Sequence, residues 1–149
     1  MRYRLRTLLI VLALGPPVLA QDAQLPILGK WRIVAQEAEG RIDDAEPDDE
    51  MVVFSEDHLL CDEDGKPVKC KCSYDIRTKP MRVEWDSPET DGMCARGIWR
   101  IDGGSLQICL RIGTREKPPD FPREFKSHKG DPAVKLLLFS RVADDPPAP

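Results

Sequence analysis

Histidine is nearly missing from this chain, with only His58 and His128 among 149 residues, both in polar, loop-like contexts. Gly-x-Ser-x-Gly, His-Glu-x-x-His and a glycine-rich phosphate loop are missing too, which removes the commonest signatures of serine hydrolases, zinc proteases and nucleotide-phosphate binders. Asp120 and Glu124 are close in sequence, but a carboxylate pair without a base or an orienting partner carries no catalytic scheme. No enzyme activity and no cofactor are therefore expected. Asp62-Glu63-Asp64-Gly65 has the flavour of a calcium loop, yet Leu60 and Lys71 would occupy its first and last ligand positions, so a plain turn is the better reading. Beyond residue 20 no segment approaches the roughly twenty apolar residues of a spanning helix, so no membrane span is expected.

The two ends of the chain read as processing and tail segments. Residues 1–20 begin with Arg2, Arg4 and Arg6, continue through the apolar run Leu8 to Leu14, break at Gly15-Pro16-Pro17 and end in Val18-Leu19-Ala20, the pattern of a secretory signal peptide. No cysteine follows Ala20 directly, so a cleaved chain has no site for lipid attachment there. Residues 21–142 are expected to form one domain and residues 143–149 a disordered tail. Without the three leader arginines, 19 basic residues face 26 acidic ones, a formal charge of −7 that disfavours nucleic acid and anionic headgroups. Asp43, Asp44, Glu46, Asp48, Asp49 and Glu50 concentrate the negative charge in what reads as a solvated loop.

Five cysteines in an exported chain favour disulfides over thiolate chemistry. Cys61, Cys70, Cys72 and Cys94 are the candidates for two bridges, with Cys109 left over, and the pairing stays open. Cys70 and Cys72 lie two apart, so on a strand they share a face. A metal site built from this Cys-x-Cys with Cys61 or Cys94 is the weaker alternative, since zinc sites generally show Cys-x-x-Cys pairs or histidine ligands; no metal is expected.

Alternation of apolar and polar residues predicts β structure throughout. Strands are expected over Leu28–Glu39, Met51–Phe54, Leu59–Cys61, Lys66–Ile76, Met81–Trp85, Ala95–Ile101, Leu106–Arg111 and Val134–Val142. Asp64-Gly65 and Asp102-Gly103-Gly104 supply hairpin turns. Lys117-Pro118-Pro119-Asp120-Phe121-Pro122 cannot be an interior strand, because its prolines remove ladder donors. It is expected to tie down the barrel mouth, with Phe125 reaching inward, or to present a rigid surface to a partner. The fold class is all-β, an antiparallel up-and-down meander of about eight strands, and hiding its edges requires closure into a barrel.

Gly97-Ile98-Trp99, Asp102 to Cys109, Pro122 to Ser127 and Leu136 to Arg141, with Lys79-Pro80 and Leu28-Gly29-Lys30-Trp31, resemble in their order a family of small exported or multidomain-associated proteins abundant in planctomycetes. That resemblance implies a lipocalin-like fold and brings no established function. The chain departs from the family's usual pattern in having Trp99 where tyrosine is more common, and in adding Cys61, Cys70, Cys72 and Cys94. The wider likeness to lipocalins implies a barrel-closing role for Gly29 and Trp31, with Arg141 laid over the indole.

An eight-stranded barrel is just wide enough for side chains or one small ligand. Inward positions Met81, Val83, Trp85, Trp99, Ile101, Leu106 and Ile108 would form an apolar cup for a fatty or aromatic molecule, or would simply fill the core. The expectation is an exported, non-catalytic protein of the periplasm or exterior that binds a small apolar ligand. The alternative is a protein-interaction module of the cell envelope whose interior is filled.

Overall fold

A computed structural model describes residues 25–44, 50–63, 65–88 and 92–143. The leader, Glu46, Asp48, Asp49 and all of the tail except Ala143 lie outside the described residues. Nine strands follow in order: β1 (Gly29–Ala38), β2 (Arg41–Asp44), β3 (Met51–Phe54), β4 (His58–Glu63), β5 (Lys66–Asp75), β6 (Met81–Asp86), β7 (Met93–Asp102), β8 (Ser105–Thr114) and β9 (Val134–Arg141). Each of β3 to β8 pairs antiparallel with the next, and β1 closes the ring by pairing with both β3 and β9. The chain is thus an antiparallel, closed eight-stranded barrel, lipocalin-like in form, with β2 as one extra strand.

Turn chemistry and alternation together fix the register. Asp102 faces Ser105 across Gly103-Gly104, whose φ values of 56° and 83° make a two-residue loop of the kind that matches strand twist. Trp99 then lies opposite Ile108, and Ile101 opposite Leu106, all turned to the lumen, while Ile98 faces Cys109 on the outside. On β5 the buried positions are Val68, Cys70 and Cys72, with the lysines between them exposed, so the cysteine face is the inner one.

The extra strand corrects the expectation of a loop after Gly40. Glu39 and Gly40 both take positive φ, 51° and 76°, and fold Arg41–Asp44 back onto Ala35–Ala38. Charged residues conceal a strand from alternation, but an edge strand tolerates them because one side of it meets water.

A bulge between Ile33 and Ala35 is the second irregularity, where one residue more on β1 is opposed to β9. Beyond it the alternation is shifted. Gln36 lines the lumen, and Glu37 turns outward to Ser127. Simple alternation along β1 would have placed Ala35 inside and Gln36 outside.

Candidate functional site

One end of the barrel is sealed. Trp31 is wholly buried, and its indole Nε1 donates to the Ile27 carbonyl oxygen at 2.8 Å. The Arg141 guanidinium lies 4.2 Å from the centroid of the indole ring and donates to the carbonyl oxygens of Leu28 (3.1 Å) and Pro26 (2.7 Å). Gly29 is required beside it: its φ is +122°, and a Cβ there would stand 2.7 Å from Arg141 Nη1. Gly29, Trp31 and Arg141 therefore form one closing unit.

The half of the barrel next to this seal is packed solid. Val83, Trp99, Leu106 and Ile108 are each at most 1% exposed, and Met81 packs against the same cluster. Of the seven residues singled out from the sequence as a ligand cup, these five and Ile101 pack in the filled half, and only Trp85 reaches open space. Their shared face was readable from alternation. Their depth along the barrel was not, because it depends on which end the indole seals.

Open space lies in the other half, a cavity of about 350 Å³. Val52, Phe54, Leu59, Leu110, Leu137 and Phe139 supply its apolar wall, with Phe54 and Phe139 meeting edge to face at 6.2 Å. Trp85 and Ala95 close one side and Ile112 lies toward the rim. Gln36, Glu50, Ser87 and Lys135 add polar groups. Of these, Gln36 enters through the bulge and Lys135 because its strand neighbour Leu110 faces the lumen. None of the four carried a signal in the sequence, since a polar residue at a barrel mouth looks like any exposed one.

The thiols correct the disulfide expectation: no two of the five cysteines lie at disulfide-bonding distance. Register explains it. Cys61 pairs across from Val52 and Val68, Cys70 from Leu59, Cys72 from Trp85, and Cys94 from Asp86 and Gly113, so no two cysteines oppose each other. Cys61 and Cys94 border the cavity, whereas Cys72 packs in the core. Burial pushes the Cys72 thiol up to about 11. Burial likewise raises Tyr74, whose hydroxyl donates to the Ser55 carbonyl oxygen at 2.8 Å. Cys109 lies on the outer face, wholly buried, its thiol raised by burial and directed at the Lys126 carbonyl oxygen. Among the described residues no group of three histidine, cysteine or carboxylate side chains is arranged to hold a metal ion.

Residues 115–133 form a strap, and it crosses the outer wall of the barrel. Phe121 lies between the guanidinium groups of Arg82 (4.5 Å) and Arg96 (5.3 Å), and Phe125 beneath that of Arg100 (4.2 Å). Phe125 packs with the outer cluster of Ile98, Cys109, Val134 and Leu136, so it does not reach the lumen as expected. Ser127, completely buried, donates from N and Oγ to Glu37 Oε1 at 2.8 and 2.9 Å, while Gly40 N donates to its Oγ at 2.9 Å.

Compared with family models, curated proteins and solved structures, the chain has no significant match in any of the three.

Proposed function

We propose that this protein is an exported, non-catalytic binding protein that holds one small apolar ligand in the open half of its barrel. The cavity carries the reading: about 350 Å³ walled by Val52, Phe54, Leu59, Leu110, Leu137 and Phe139 falls at the small end of ligand pockets, roughly 300–1,000 Å³. The sealed end supports it, since Trp31 and Arg141 leave one way in and give the pocket a floor. Export rests on the basic-apolar-small pattern of residues 1–20. The strap offers less to a protein partner, because Phe121 and Phe125 are stacked under arginines and not presented to solvent as an apolar patch.

Native mass spectrometry of protein recovered from the exported fraction, with titration of a neutral environment-sensitive dye such as phenylnaphthylamine, tests this reading. A co-purifying small mass, or a saturable dye signal displaced by an aliphatic chain, is expected. Bare protein with no saturable signal would overturn it.

A further inference from the structure

We infer that the cavity takes a single-chain amphiphile with a carboxylate head, seated at the rim on Lys135; this rests on the ligand-binding reading above and specifies its ligand class. Two donors, Lys135 on β9 and Gln36 on the paired β1, line the cavity where its apolar wall ends. Lys135 faces Leu110 of β8 and Ala38 of β1, which turns it toward the lumen, and it lines the cavity beside Leu137. Among the described residues it takes part in no ion pair. Gln36, brought inward by the bulge, contributes an amide.

Ser87 lies on the same cavity wall. Its backbone is held by Ser87 N donating to Met93 O at 3.3 Å and by Arg115 Nη2 donating to Ser87 O at 3.0 Å. Its Oγ is buried, without a hydrogen-bond partner among the described residues, and so is not open to the rim. Glu50 shares the rim, but it is exposed to screening solvent and engaged in a contact of its own.

A carboxylate suits this set better than a neutral head. It presents two acceptor oxygens to the ammonium and amide donors, and charge-assisted bonds are about twice as strong as neutral ones. Phe54 and Phe139 lie deeper on the cavity wall than the rim residues, so the chain is directed toward them. A volume of about 350 Å³ suits one flexible chain.

Displacement of phenylnaphthylamine by dodecanoate, dodecanol and dodecylamine, each against wild type and Lys135→Met, separates the possibilities. Dodecanoate is expected to bind about tenfold more tightly than dodecanol to wild type, with dodecylamine weakest. In Lys135→Met, dodecanoate should fall to the dodecanol level while dodecanol is unchanged. Equal affinity of the three for wild type, or a carboxylate preference that survives Lys135→Met, overturns the head-group assignment alone. If no chain displaces the dye from wild type, the barrel as a ligand site is overturned with it. Should Lys135→Met fail to fold, the order of the three ligands on wild type decides.

Discussion

Arg141 and Trp31 are held face to face, 4.2 Å apart, by a guanidinium that also ties down the carbonyl oxygens of Leu28 and Pro26. The unit joins the segment entering the barrel to the end of its last strand, so it closes the ring and the floor together. Arg141→Met is expected to lower unfolding stability by about 1–2 kcal/mol, from the lost cation-π contact and two charge-assisted bonds on an exposed side chain. Gly29→Ala is expected to be at least as damaging, since alanine is strained at φ +122° and its Cβ would displace the Arg141 guanidinium from its place over the indole. Urea titration of both variants checks this.

Glu37 and Ser127 join the strap to the first strand, 90 residues apart in sequence. Glu37→Ala leaves the Ser127 N–H and hydroxyl in a wholly buried site without their acceptor, and a loss of about 1–3 kcal/mol is expected. Trypsin should then cut sooner after Arg123 and Lys126 than in wild type, while the barrel strands stay protected. Unchanged cleavage would show that the aromatic-arginine stacking holds the strap by itself.

Cys72 makes stability depend on alkaline pH. Its thiol is raised from 9.0 to about 11 by burial, so the native state keeps a proton that the unfolded chain releases. This contribution is fully present below pH 9 and is lost as pH rises through about 11. The loss amounts to roughly 2 kcal/mol and is absent in Cys72→Ala. Tyr74, also raised by burial, adds in the same direction. Denaturation at pH 8, 9.5 and 11 follows the effect, and thiol titration of the unreduced, unfolded chain is expected to count all five cysteines.

Filling the cavity should abolish binding without unfolding the protein. Leu137→Trp places an indole in open space beside Phe139, so dye binding should be lost with the thermal midpoint unchanged or raised. Val83→Ala, in the packed half, should do the reverse, lowering stability by about 1–2 kcal/mol and leaving dye affinity alone.

Much of the barrel was legible because period-two alternation survives wherever one strand face is buried. Met81, Val83 and Trp85 against Arg82 and Glu84, or Trp99 and Ile101 against Arg100, give both the strand and its inner face. Three features were not legible. Arg41–Asp44 is charged because it sits at an edge, so its strand character comes only from pairing with β1. The bulge near Val34 exchanges the faces of Ala35 and Gln36, and no residue type announces it. The division of the lumen into a filled and an open half arises from long-range placement of Ile27, Trp31 and Phe139. Paired cysteines were expected from export, yet disulfides depend on cross-strand register, which composition does not encode.

Trp85 borders the cavity, while Trp31 and Trp99 are buried in the sealed half, and this asymmetry gives a direct test of ligand binding in the open half. Tryptophan fluorescence is to be followed while a brominated dodecyl chain is titrated into wild type and Trp85→Phe. Saturable quenching in wild type that disappears in Trp85→Phe is the predicted result. Quenching that never saturates, or that persists undiminished in Trp85→Phe, would contradict it.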